Sequence, residues 1–302
     1  MTAAAFFVDN LIKDIHHAYE HPWSDKVLAM WMPVAAYWIY SLLFHFLMKA
    51  ELPYFEYYRI HEPEQVDKRN RVSVQRVITM VVFQQLTQIV LSIIVLTPET
   101  PEALAMKNEK ALARYFSLTL LAFNTLSLPT TEHQAMVFAK AIYWCIIPAL
   151  QFFAGMLIMD THQYFLHRLF HMNKFLYKHF HSHHHRLYVP YAFGALYNHP
   201  LEGLLLDSLG AVVSSELTKM SPRMCVVFFT FSTLKTVDDH CGYALPWNPF
   251  QFLFANNVQY HDVHHQAYGI KTNFSQPYFT HWDKLLGTEM AEPRKTRVNK
   301  SQ

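Results

Sequence analysis

The chain has 302 residues, of which 52% are hydrophobic and 16% charged, with a formal net charge of +2. Soluble domains carry about 25% charged residues, so this composition is short of solvated surface. Near-neutral charge without an aromatic-basic motif gives no basis for a nucleic-acid partner. Three scattered cysteines, Cys145, Cys225 and Cys241, lack CxxC spacing and point neither to a disulfide framework nor to a thiolate zinc site.

In chain order, the first 25 residues include Asp9, Asp14, Glu20 and Asp25 and lack a basic stretch before an apolar core, so no cleavable signal peptide is expected. Residues 27–48 form an uncharged run that is long enough to span a bilayer, with His45 its one strongly polar member. A second uncharged run covers 77–98, and its Gln84, Gln85 and Gln88 are expected to face protein rather than lipid. A weaker run at 115–129 ends in Pro129 and is not expected to cross completely; a strong one follows at 141–159. The stretches 201–213 and 224–234 are each too short or too polar for a single span and together predict a hairpin that dips into the membrane and returns. Lys49, Arg59, Lys68, Arg69, Arg71 and Arg76 place the 49–76 segment on the cytosolic side, and the basic residues of the C-terminal part, among them Lys271 and Lys284, argue for the same side. With no internal repeat or low-complexity linker, the expected architecture is one integrated all-α membrane bundle with a histidine-rich helical cap facing the cytosol. Its parts are a membrane-spanning region over 1–140, a catalytic region over 141–290 and a polar tail over 291–302.

Nine of the 20 histidines fall between His162 and His199. His167 and His171 stand at i and i+4 in HRLFH; His181, His184 and His185 follow as HxxHH; His261, His264 and His265 repeat HxxHH in YHDVHH. On an α-helix, at ~100° per residue, each box puts its rings on one face, where they can share a metal ion, while His179 and His183 project from the opposite side. Neutral imidazole suits iron, zinc, copper or nickel. Eight box histidines exceed the four ligands of one structural zinc, so two metal ions are expected. His240, in VDDHCGY, and His199, in YNHPLEG, are candidates for further ligands. A lone histidine on an apolar face is ordinarily a hydrogen-bonded packing residue, and His45 and His133 read that way. Asp160, Asp238, Asp239 and above all Asp262, inside its box, are candidate partners for the far ring nitrogens.

Hydrolytic zinc sites use motifs such as HExxH, and soluble di-iron bundles use ExxH pairs; both are absent. An all-imidazole pair of metals beside a lipid-accessible bundle instead suits oxygen activation and attack on an unactivated C–H bond. A membrane metal transporter would need ionisable groups inside the long spans, and the runs 27–48 and 77–98 hold none except His45.

The HxxxH, HxxHH and HDxHH boxes resemble those of the fatty acid hydroxylase and sterol desaturase superfamily of membrane di-iron oxygenases. The stretches DTHQYFLHRLFHMNKFLYKHFHSHHHRLYVPYAFGALYNHPLEGLLLD, KTVDDHCGYALPWN and NNVQYHDVHHQAYGIKTNFSQPYFTHWDKLLGTEM are similar to those of its sphinganine C-4 hydroxylases, over roughly 155–290. The resemblance implies two iron ions held by His167, His171, His181, His184, His185, His261, His264 and His265, with His240 joining them. It implies an endoplasmic reticulum enzyme that turns sphinganine or dihydroceramide into the phytosphingosine form with O2. Electrons would come from NAD(P)H through cytochrome b5 and its reductase, and the implied neighbours include ceramide synthase. The implied reaction removes a hydrogen from C-4 and returns a hydroxyl. Tyr188, Tyr191 and Asn198, beside the second box, are candidates for the polar headgroup. The rival within the superfamily is a sterol C-5 desaturase or C-4 methyl oxidase, which box spacing does not separate because both reactions begin with hydrogen abstraction.

Overall fold

The computed structural model describes residues 13, 23–95 and 100–290. The expectations for the N-terminal 22 residues other than residue 13, for residues 96–98 of the second apolar run and for the tail at 291–302 lie outside the described residues. Every element of regular structure longer than an isolated bridge is helical. Helix α1 spans Asp25–Ala50, α2 Val74–Val95 and α3 Pro101–Thr125. Helix α4 runs Glu132–Met172 with a π turn at Ile142–Ile146, and α5 is the short Lys174–His179. Helix α6 starts at Pro200–Gly203, passes a π turn at Leu204–Ser208 and ends as Leu209–Thr218. Helix α7 is Pro222–Asp239, α8 Val258–His265 and α9 His281–Leu286.

Among the described residues, three helices are long and apolar enough to cross a membrane: Asp25–Ala50, Val74–Ile93 and Glu132–Met172. Large apolar side chains face outward along them, including Ile39, Leu43 and Phe46 on α1, Phe83 and Leu86 on α2, and Leu150 and Phe153 on α4. In water such surface would be a liability; against lipid it is the ordinary solvent-facing side of a span. The polar groups turn inward, as expected for Gln84 and Gln85: Trp38 Nε1 donates to Gln85 Oε1 at 2.9 Å, and Gln84 is buried against α6. The 41 residues of α4 span about 60 Å at 1.5 Å per residue, twice a bilayer's hydrocarbon thickness. Its apolar run 141–159 is followed by another dozen residues, so His167 and His171 stand on the part that leaves the apolar layer.

The weak run at 115–129 falls largely within α3, which is not one of the three candidate spans and packs against the N-terminal part of α4. With three crossings, the α1–α2 connection and the C-terminal end of α4 emerge on the same side. The connection is tied directly to the histidine region. Arg71 N donates to Arg186 O at 2.9 Å, Ile60 N to Gly242 O at 3.0 Å, and Asn70 exchanges two 2.9 Å bonds with the Val189 backbone. Gly242 makes that contact from a left-handed turn (φ 79°), where an added Cβ would lie 2.7 Å from Met48.

The hairpin expected from 201–213 and 224–234 is α6 and α7, joined through Lys219, whose left-handed φ of 56° ends α6. Ser221 caps α7 by accepting from Met224 N at 3.2 Å, and Pro222 occupies its first turn. Helix α7 packs along α1 and α6 along α4. One apolar core lies between α1, α7 and the segment 187–197, around Tyr37, Phe44, Phe193 and Tyr243; a second holds Met156, Met159, Phe228 and Tyr278.

Candidate metal centre

The box histidines reach the centre from three kinds of element. His167 and His171 come from the end of α4, and His261, His264 and His265 from α8, which Asn257 caps by accepting from Gln259 N and Tyr260 N. His181, His184 and His185 come from a 3-10 turn, His181–Arg186, rather than from the α-helix that the spacing suggests. His240 is the C-terminal cap of α7.

These nine rings form two buried groups: His167, His171, His181, His185 and His264 in one, and His184, His240, His261 and His265 in the other. The expectation that each HxxHH converges on a single point is therefore corrected: each box divides. The outer pair His181 and His185 faces the first group and the middle His184 the second; the outer pair His261 and His265 faces the second and the middle His264 the first. The two boxes do this with matching geometry. Rings at i and i+3 are stacked at 5.8 Å and 30° in both, while rings at i and i+4 stand 4.7 and 4.8 Å apart at 72° and 70°. The stacked ring is displaced along the axis and so reaches the neighbouring site.

Within the first group, Nε2 of His181 is 3.1 Å from that of His167 and 3.0 Å from that of His185, and Nε2 of His171 is 3.2 Å from both His167 and His185. In the second, His261 Nε2 is 3.0 Å from His240 and 3.1 Å from His265. Two imidazole nitrogens bound to one ion at ~2.1 Å and at right angles would stand about 3.0 Å apart. The protonation pattern points the same way. Nδ1 of His167, His184, His240, His264 and His265 each faces a backbone carbonyl, of Phe274, Tyr197, Thr236, Thr272 and Leu187, at 2.7–3.2 Å. A carbonyl only accepts, so these Nδ1 atoms carry the proton and each Nε2 presents a lone pair to the others. Burial lowers the pKa of His184 to about 4 and of His264 to about 3, which keeps both neutral at pH 7. His264 Nε2 is buried with no hydrogen-bond partner. Converging lone pairs without protons repel one another and fit a cation at each centre, so the donor set suits two metal ions.

The other sequence candidates divide. Asn198 lines the small chamber described below. His199 joins neither group; it caps α6 by accepting from Leu201 N at 3.2 Å, and its ring packs on Phe180. Tyr188 lies under the Arg71 guanidinium at 5.1 Å, and Tyr191 is buried in the apolar core; neither lines the two cavities described below. The aspartates expected on the ring nitrogens are elsewhere. Asp160 accepts from the backbone of Tyr278 and Phe279, Asp238 from Tyr40 and Asn248, Asp239 from Lys235, and Asp262 meets His61 Nε2 at 2.7 Å. Backbone carbonyls, which composition does not reveal, take the place expected for them. The one carboxyl group on a ring of the clusters among the described residues is Glu202, fully buried against His181 Nδ1. Sequence reading passed over it, although an acid inside the apolar run LEGLLLD is itself a signal.

Two neighbouring cavities lie beside the clusters. A chamber of about 30 Å³ is lined by His181, His184, His240, His261, Glu202 and Asn198, among others. A cavity of about 700 Å³ runs between α1, α2, α6 and α7, past Met30, Val34, Ile89, Val212 and Phe229. Gln163, Asp207, Thr236 and Pro277 line both. A long apolar molecule within the bundle would thus lie against a wall shared with the chamber of the metal centre.

Comparison with known proteins agrees with this geometry. The family model described as fatty acid hydroxylase matches residues 152–288. The chain is 48% identical to the sphingolipid C4-hydroxylase sur2 of Schizosaccharomyces pombe, over 93% of this chain and 94% of that one. It is 44% identical to sphinganine C4-monooxygenase 2 of Arabidopsis thaliana, over 91% and 92%. It is also 44% identical to the very-long-chain aldehyde decarbonylase GL1-9 of Oryza sativa subsp. indica, over 89% and 92%. No solved structure matches the chain significantly. Similarity of this extent, with both histidine groups intact inside the matched region, places the chain in the fatty acid hydroxylase family.

Proposed function

We propose that this chain is a sphingolipid C-4 hydroxylase that adds a hydroxyl at C-4 of sphinganine or of the corresponding ceramide. The observation that carries the reading is that a lipid-sized apolar cavity shares Gln163, Asp207, Thr236 and Pro277 with a small chamber lined by histidines of both groups. In this reading His167, His171, His181, His185 and His264 hold one iron ion, and His184, His240, His261 and His265 hold the other. When bound, the irons supply the activation of O2 that an unactivated C–H bond requires.

The protein's own part is positional. Helices α1, α2, α6 and α7 take up the hydrocarbon chain and keep water from it, and the carbonyls of Phe274, Tyr197, Thr236, Thr272 and Leu187 hold five imidazoles in one tautomer and orientation. The narrow chamber admits a short polar segment of substrate and a diatomic gas, not bulk solvent. One C–H bond and one O2 are consumed with two electrons and two protons, and one C–OH and one water result. The electrons come from NAD(P)H through cytochrome b5 and its reductase, on the cytosolic face of the endoplasmic reticulum membrane. The basic α1–α2 connection, packed on the histidine region, supports that side. Ceramide synthase, working on the same lipids, is the natural neighbour.

The test is incubation of the purified protein with sphinganine or dihydroceramide, NADH, cytochrome b5 and its reductase. Phytosphingosine or its ceramide is expected by mass spectrometry. The rice relative's name supports a second reading, loss of the carbonyl carbon from a long-chain aldehyde. Alkane from an aldehyde, or product from a sterol, with no hydroxylated sphingoid would overturn the first.

A further inference from the structure

Asp207 stands in the π turn of α6, in the middle of the apolar sequence LEGLLLDSLGAVV. An ionisable group inside an apolar hairpin is expensive to keep, and π turns recur where a helix must aim one side chain at a site. Asp207 lines both cavities. Gln84 Nε2 donates to its Oδ2 at 3.2 Å, and Asn198 lines the small chamber with it. Gly203 is what lets Gln84 sit there: a Cβ on that residue would lie 2.4 Å from Gln84 Nε2.

Three carboxyl groups line the small chamber: Glu202, Asp207 and Asp239. Glu202 bonds the His181 ring and Asp239 pairs with Lys235. The hydrogen-bond partner of Asp207 among the described residues is the neutral amide of Gln84. It is thus an acceptor held by Gln84, with no ion pair among the described residues, in the wall that the apolar cavity shares with the chamber under the metal groups.

We propose that Asp207 receives the protonated amine of a long-chain base, which fixes the head at the wall the two cavities share; the proposal rests on the hydroxylase reading above. The amine of such a base stands on C-2, two bonds from C-4. A head held at Asp207 leaves C-4 beside the small chamber while the remaining chain fills the large cavity. Asp207 is then a specificity-determining residue that favours the free base over its N-acylated form, whose amide carries no charge.

The test compares wild type, Asp207→Asn, Asp207→Glu and Asn198→Ala, each purified full-length and checked for metal content. Binding of sphinganine is measured without oxygen, where no turnover occurs, and kcat and KM are measured for sphinganine and for a short-acyl dihydroceramide. Asp207→Asn should weaken sphinganine binding and raise its KM at least tenfold, with metal content unchanged and a smaller effect on the dihydroceramide. Asp207→Glu should stay within about threefold of wild type, and Asn198→Ala should show a weaker form of the same KM effect. Unchanged binding in Asp207→Asn, or equal losses for base and amide, would overturn the proposal. If Asp207→Asn does not fold, the Asn198→Ala and Asp207→Glu results decide in the same way. A wild type that makes no hydroxylated sphingoid at all would sink the hydroxylase reading instead, so the two failures are distinguishable.

Discussion

His184 and His185 are neighbours in the chain, yet their rings stand 5.7 Å apart at 85° and belong to different histidine groups. The same division separates His264 from His265, whose rings are 6.0 Å apart at 87°. Because each box contributes to both centres, neither centre is assembled from a continuous piece of chain. Alanine at His184 or at His185 should therefore remove metal from different sites. Each variant is expected to bind about one metal ion where the proposed two-metal centre would hold two, and the remaining ion should have a different spectroscopic signature in the two variants. Identical spectra from both would contradict the division of the boxes.

His264 and His183 offer a sharper contrast. His264 is fully buried, with Nε2 among the first group; His183 is partly exposed, bonds the Phe180 carbonyl through Nδ1 at 3.0 Å and packs beside His199. His264→Ala should abolish hydroxylation. His183→Ala should keep more than half of it, with stability changed by less than about 1 kcal/mol, as for substitutions away from a packed site. Comparable losses in the two variants, measured at equal protein, would show that distance from the clusters is not what matters.

Much of this was legible in the sequence because it depends on local patterns. Uncharged runs of about 20 residues mark the spans, the i, i+3, i+4 spacing marks the rings of the boxes, and the basic 49–76 segment shares a side with them. What was not legible depends on contacts made at long range. His240 was a candidate ligand from its sequence, but which group it joins is decided by α7 ending beside the 181–186 turn, and the carbonyls that fix the rings belong to Leu187, Tyr197, Thr272 and Phe274, whose side chains say nothing of it. Asp262 looked best placed for a ring of its own box, yet one helical step turns it outward to His61 on the α1–α2 connection. His199 shares its neighbourhood with the second box but is used to cap α6.

Glu202 provides a test of ring orientation. It bonds His181 Nδ1 from inside the apolar hairpin, so it sets how His181 presents Nε2 to the first group. Glu202→Gln keeps the size and loses the charge. Removal of such a partner typically costs 10–100-fold in metal affinity or activity. A loss of about that size is expected, with metal at the second group retained and a selective fall in the first group's metal affinity on chelator titration. Uniform loss from both groups would mean that Glu202 supports the fold rather than His181.

Asp239 is adjacent to His240 in sequence but binds Lys235 one turn back on α7, and both are buried, with exposures of 3% and 0%. Lys235 also donates to the Asn256 carbonyl at 2.9 Å, which ties α7 to the segment leading into α8. Removing one member of a buried ion pair leaves the other charge uncompensated and costs about 3–5 kcal/mol, whereas replacing both by neutral groups of similar volume is often close to neutral. Asp239→Asn alone should lower the Tm markedly and reduce the yield of folded protein. Adding Lys235→Met should recover much of that Tm. Activity per folded, metal-loaded molecule should follow in the double variant, because the pair acts on the position of α7 and not on the His240 ring, whose Nδ1 is already engaged by the Thr236 carbonyl at 2.8 Å. A double variant with restored Tm and undiminished metal content but no activity would instead place Asp239 in the chemistry of the chamber it lines.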